Sequence, residues 1–91
     1  MAVFVQLRGV HIRANSAQTW FVWGFPPNTF VKWQVRPYRH SIIPFGFPAR
    51  AHVERVMVEQ GANGTYTHFV TVRNDSIVPI AYDLLYDITW F

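Results

Sequence analysis

The chain contains no cysteine, which excludes a disulfide framework and any thiolate-ligated zinc site. Small extracellular domains of this size often rely on disulfides, so the absence leans toward a reducing compartment. Charge is sparse as well, at 14% of residues against a usual value of about 25%, and Lys32 is the only lysine among the eight bases. The five glycines never assemble into a phosphate cradle. No apolar run approaches the roughly 20 residues needed to cross a bilayer, so no transmembrane segment is expected. The opening Met1-Ala2-Val3-Phe4-Val5-Gln6-Leu7-Arg8 lacks a basic segment followed by a long apolar stretch and a cleavage site. No secretory leader is therefore read there, and a cytoplasmic protein, or one exported without a leader, is expected.

What the sequence has in excess is aromatic. Its 91 residues include 8 Phe, 4 Trp and 4 Tyr, and a chain of this length forms one domain (residues 1–91) with a small core. Such a core cannot hide all of these rings, so some must lie at the surface, in a subunit interface or in a ligand site. The net charge is +3, but the bases are scattered. They read as a solvated surface rather than as a nucleic-acid footprint.

Alternation with a period of two dominates the hydrophobic pattern, and no helical stretch competes with it. Val31, Trp33 and Val35 alternate with Lys32, Gln34 and Arg36, the signature of a strand with one wet face. Tyr66, His68, Val70 and Val72 oppose Thr67, Phe69 and Thr71. Ile80, Tyr82, Leu84, Tyr86, Ile88 and Trp90 oppose Ala81, Asp83, Leu85, Asp87 and Thr89. Val3 to Arg13 reads as one strand whose apolar parity shifts at Gly9, as a bulge would require. The continuous run Trp20-Phe21-Val22-Trp23 fits a strand buried on both sides, and His52 to Glu59 forms a further, bulged strand.

Asn15-Ser16-Ala17-Gln18, Phe25-Pro26-Pro27-Asn28, Gly61-Ala62-Asn63-Gly64 and Asn74-Asp75-Ser76 are turn signals. The Asn-x-Ser/Thr matches at Asn63 and Asn74 are read as turn residues rather than glycan acceptors. One long connection, Pro37 to Pro48, carries three prolines yet is rich in apolar residues, which is unlike a disordered linker. Six or seven short strands with such turns indicate a sandwich or small barrel. The preferred architecture is all-β, a small antiparallel two-sheet sandwich with Greek-key ordering.

Catalytic and metal constellations do not stand out. His11, His40, His52 and His68 have no ligand spacing, and His68 falls in the apolar parity of its strand, where a hydrogen-bonded core or interface histidine is expected. Asp83 and Asp87 share one face of one strand, roughly 13 Å apart at about 3.3 Å per residue. That exceeds the separation of a glycosidase pair, and pairing with arginines on a neighbouring strand is the expected role. Ser16, Ser41 and Ser76 lie in no nucleophile-elbow context. A non-enzymatic module with no cofactor and no metal is expected.

Two aromatic clusters remain. Trp20 to Pro27 with Trp33 forms one, and Tyr38-Arg39-His40 with Phe45-Gly46-Phe47 the other. Rings that stack on a sugar's C–H face, beside polar groups for its hydroxyls, suit a glycan; the same residue types are enriched at protein interfaces. Trp20, Trp23, Trp33 and Tyr38 are the stacking candidates, with Arg39, Asn28 and Asp75 as hydrogen-bonding candidates. Single-stranded nucleic acid is a third reading. Phe69 and Leu85 lie in outward parity, and Ile42, Ile43, Phe45 and Phe47 lie in the long loop. These six are the expected interface of a homo-oligomer, the alternative being that the proline-rich loop folds back as an internal cap on the open end of the sandwich.

From Gly64, the stretch Gly-Thr-Tyr-Thr-His-Phe-Val-Thr-Val-Arg-Asn-Asp-Ser-Ile-Val-Pro-Ile-Ala-Tyr-Asp-Leu resembles the strand–turn–strand of bacterial immunoglobulin-like modules. In those modules a strand ending Val-x-Val-x-Asn turns through a polar pair into a strand carrying an aromatic. The resemblance covers about a quarter of the chain, and it implies a sandwich with an adhesive or structural role.

Overall fold

The computed structural model describes residues 2–39 and 47–91. Six strands form: β1 (Ala2–Ile12), β2 (Ala17–Phe25), β3 (Thr29–Arg39), β4 (Ala51–Gln60), β5 (Tyr66–Asn74) and β6 (Ile80–Trp90). They make two antiparallel three-stranded sheets packed against each other, ordered β1-β6-β3 and β2-β5-β4. Among the described residues there is no helix, and so none long and apolar enough to cross a membrane.

Only β4 and β5 are consecutive partners in one sheet; the other connections switch sheets. β3 touches β4 across one edge of the sandwich. The neighbours β6-β3-β4-β5 therefore run in the spatial order of a Greek key.

Each sheet has a single central strand, and this decides where the core sits. Of the buried hydrophobic residues among those described, Val70 and Val72 come from β5, and Ile80, Ala81, Tyr82, Leu84 and Ile88 from β6. The edge strands contribute Ile12, Phe25 and Trp33. The expected inward parity of β5 and β6 holds, with Leu85, Asp83 and Asp87 on the other face of β6.

Bulges adjust the edges. In β1 the register against β6 shifts between Val5 and Leu7 and again between Leu7 and Val10. Gly9 sits there at φ 62°, a left-handed conformation that glycine adopts without a Cβ clash. In β2 the register shifts between Val22 and Phe25, and Gly24 at φ 91° lets Phe25 turn inward out of sequence. β4 shifts between Val53 and Arg55.

Two expectations are corrected. The run Trp20-Phe21-Val22-Trp23 is not buried on both sides: β2 is an edge strand, and Phe21 and Trp23 are exposed. The long connection is also shorter than Pro37–Pro48, because Pro37, Tyr38 and Arg39 pair with β6. Pro37 is tolerated because β3 is an edge, where one side of the strand needs no N–H.

Candidate interaction surfaces

Four aromatic rings build the interior near the β2–β3 turn. Phe25 packs edge-on to Trp33 and Tyr86, with centroids 6.2 and 5.5 Å away, and lies 4.7 Å from the His68 ring. Trp33 Nε1 donates to His68 Nδ1 at 3.0 Å. An indole nitrogen can only donate, so Nδ1 is the acceptor and the neutral ring carries its proton on Nε2. Burial lowers the His68 pKa below its ordinary value, which favours that neutral form. The expected hydrogen-bonded core histidine is what the fold contains.

A second interior relay lies along β2. Trp20 Nε1 donates to the Tyr82 hydroxyl at 2.7 Å, and that hydroxyl donates to Gln18 Oε1 at 2.7 Å. Gln18 Nε2 in turn donates to the His11 carbonyl at 3.0 Å. Burial raises the Tyr82 pKa, keeping the phenol protonated as the relay requires.

The outer face of the β2-β5-β4 sheet is of a different character. Phe21 and Met57 lie directly opposite Phe69 from either side, forming an apolar row across all three strands. Trp23 stacks on Phe21 at 5.7 Å and is 69% exposed, with Phe21 at 61%. Beside the row, Thr19 and Thr71 share a hydroxyl hydrogen bond of 2.9 Å, with Arg55 opposite Thr71. Thr19, Arg55, Met57, Phe69 and Thr71 border a cavity of about 150 Å³. On the other side, Glu59 lies opposite Thr67.

Among the described residues, the second half of β4 is only partly covered on its inner face too. Val56 and Val58 lie opposite Val70 and His68, the inward parity, yet they are 42% and 51% exposed. A cavity of about 220 Å³ opens there, lined by Val58, Val31, Phe30, Tyr66, His68 and Phe91 among others.

On the outer face of the β1-β6-β3 sheet, Asp83 Oδ1 accepts from Gly9 N at 2.9 Å and from the Tyr38 hydroxyl at 3.1 Å. Asp83 and Asp87 lie opposite Arg36 and Lys32. Among the described residues neither forms an ion pair with an arginine, contrary to the expected pairing. Asp83 instead ties the β1 bulge to β3. Asp87 Oδ1 is buried without a hydrogen-bond partner among the described residues.

The fold does not gather the sequence-predicted binding residues into one site. Trp33 and Trp20 face the interior, and Trp23 stands on the outer face of the β2-β5-β4 sheet. Tyr38 lies on the other sheet's outer face, and Arg39 is exposed at the end of β3. Asn28 is in the β2–β3 turn, its carbonyl accepting from Phe91 N at 2.9 Å. Asp75 lies beyond β5 and pairs with His52 at 2.6 Å. Strand geometry explains the dispersal, since Trp20 and Trp23 are three residues apart and so point to opposite faces. That spacing was readable from the sequence.

The expected interface residues are also divided. Phe69 and Leu85 lie on the outer faces of different sheets. Phe47 borders a cavity of about 260 Å³ with Pro48, Arg50, Asp75, Ser76 and Ile77. Ile42, Ile43 and Phe45 lie outside the described residues.

Sequence reasoning missed the role of Asn74. It is fully buried, and its Nδ2 donates to the carbonyls of Arg13 and Val78 at 3.0 Å each, while its Oδ1 accepts from Ser76 N at 2.8 Å. Its place as the last even-parity position of β5 was the available signal. No protein-family profile, curated protein or solved structure matches the chain.

Proposed function

We propose that this chain is a non-catalytic interaction module that self-associates through exposed aromatic and apolar surface. The observation that carries the reading is the Phe21–Phe69–Met57 row with Trp23 stacked beside it on a sheet face where, among the described residues, Phe21, Trp23 and Met57 stand exposed. A contiguous apolar patch of this kind is uncommon on a soluble monomer and marks an interaction site. Burial of each large side chain contributes roughly 1.5–3 kcal/mol, so a few at one interface can outweigh the cost of association.

The resemblance to bacterial immunoglobulin-like modules is part of the proposal. Two features support it. The orders β2-β5-β4 and β3-β6 follow the B-E-D and C-F neighbours of that fold, with β1 in the place of its last strand. Trp33 on β3 and Tyr82 near the start of β6 occupy the strands that carry the family's buried Trp and its corner Tyr.

Light scattering over a concentration series tests self-association. A mass above 10.6 kDa that falls on dilution is expected, and a monomer at every concentration rejects the reading.

A glycan-binding reading has one specific observation in its favour. The exposed Trp23–Phe21 stack stands beside the hydroxyls of Thr19 and Thr71, pairing a ring surface with short polar groups. A glycan array tests it: binding lost in Trp23→Ala supports the reading, and silence across the array removes it.

A further inference from the structure

We propose that two copies of the chain pair through the free edge of β4, antiparallel about a two-fold axis at Met57, making one continuous six-stranded sheet. The proposal rests on the self-association reading and specifies its interface.

Among the described residues, four strands have an edge with no hydrogen-bonded neighbour, β1 and β3 in one sheet and β2 and β4 in the other, with β3 in contact with β4 across the sandwich. A free edge presents unpaired N–H and C=O groups and can template another strand unless something obstructs it. β1 is obstructed by two register shifts and the Gly9 bulge. β3 carries Pro37, and pairing it with itself about Gln34 sets Lys32 against the partner copy's Arg36, a like-charge clash. β2 runs from Ala17 to Phe25 with no charged residue, so nothing in it selects a register.

β4 differs on each count. From Arg55 to Gln60 it pairs with β5 without a shift. Two-fold pairing about Met57 sets position i opposite position 114 − i, so each Arg55 faces the partner copy's Glu59, and each Val56 faces its Val58. Opposite charges directly across strands stabilise the pair, and the arrangement is self-complementary, as an isologous contact requires. Among the described residues, the Arg55 side chain has only a 3.8 Å contact to the Met57 sulfur, and the Glu59 side chain has no ion pair.

Both faces of the strand gain cover. On the outer face the Phe21–Phe69–Met57 row continues into the partner's Met57, Phe69 and Phe21. On the inner face the half-exposed Val56 and Val58 acquire apolar neighbours at the mouth of the 220 Å³ cavity.

Charge exchange tests the pairing at two exposed positions. In Arg55→Glu both charges on the edge are acidic, and in Glu59→Arg both are basic. Each single variant is expected to raise the dimer dissociation constant by about 10- to 100-fold. An equimolar mixture of the two is expected to form a heterodimer, because each acidic edge meets a basic one, and the double variant Arg55→Glu/Glu59→Arg is expected to restore the homodimer. Sedimentation velocity reads all of these. If the wild-type chain associates but neither variant nor their mixture alters its mass, the β4 pairing is overturned and the self-association reading stands. If the wild-type chain is monomeric throughout, both fall.

Discussion

Trp33 and His68 meet across the sandwich, the indole N–H of one strand ending on the Nδ1 lone pair of the opposite sheet at 3.0 Å. This bond requires a neutral imidazole, because a protonated ring would set one N–H against another. It makes the domain's stability depend on pH in a defined direction. Burial depresses the His68 pKa from its unfolded value of 6.5, so below that value the unfolded state binds the proton more readily than the folded state does. The full contribution is present above about pH 6.5 and is lost as pH falls from there through the depressed folded value. Urea denaturation of wild type at about pH 7 and about pH 5 should show the loss. In His68→Phe that share of the pH dependence should be absent; an unchanged pH slope in the variant would overturn the assignment.

The periodicity of β6 was legible because β6 is the centre of its sheet. Ile80, Tyr82, Leu84 and Ile88 are buried, and Asp83 and Asp87 lie half-buried on the other face, so the alternation gives the facing of the strand directly. β2 misleads for the complementary reason. An apolar residue on each face of a strand reports that both faces favour cover, and it does not report whether this chain supplies it. Phe21 and Trp23 thus read as core and stand in the open. The bonds of Asp83 to Gly9 and to Tyr38 were beyond the sequence, since they depend on a register among three strands that only the folded sheet sets.

The Gly9 bulge should be intolerant of a side chain. An alanine there would adopt φ 62°, costing about 1–2 kcal/mol, and its Cβ would lie 3.3 Å from the Tyr38 hydroxyl. Partial desolvation first, then the hydrogen bond to Asp83, raises the Tyr38 pKa, so the phenol stays a protonated donor to Asp83. Thermal melts of Gly9→Ala, Tyr38→Phe and the double variant should be non-additive. The double variant should cost less than the sum of the singles, because removing the hydroxyl relieves the Cβ contact. Strict additivity would show that the bulge strand simply moves away.

Asn74 closes the end of the sandwich where β1, β5 and the β5–β6 connection converge. Asn74→Asp keeps the shape but turns a donor facing two carbonyl oxygens into an acceptor or a buried charge. A buried unpaired charge costs about 3–5 kcal/mol, a large share of the roughly 5–15 kcal/mol that holds a domain folded. Circular dichroism should show Asn74→Asp largely unfolded at neutral pH, with partial recovery in acid. Exposed Asn63→Asp should melt close to wild type. Equal stability of the two variants would remove the latch.

The tryptophans provide the last prediction, because the fold sorts four indoles into two classes. Trp20 and Trp33 each donate to an interior partner, the Tyr82 hydroxyl and His68 Nδ1. Trp23 and Trp90 are 69% and 58% exposed. Replacing Trp33 with Phe leaves a buried acceptor without its donor and a smaller ring in a packed interior, an expected loss of about 2–3 kcal/mol. Replacing Trp23 with Ser removes exposed surface and should change stability by no more than about 0.5 kcal/mol. Measured at concentrations where the chain is dilute, the two effects should separate cleanly in urea melts. Acrylamide quenching adds a second readout: Trp23→Ser should remove accessible fluorescence, and Trp33→Phe should remove protected fluorescence. A Trp23→Ser variant that unfolds like Trp33→Phe would mean that the outer face of the β2-β5-β4 sheet is covered within the folded chain, and the case for an interaction surface there would fail.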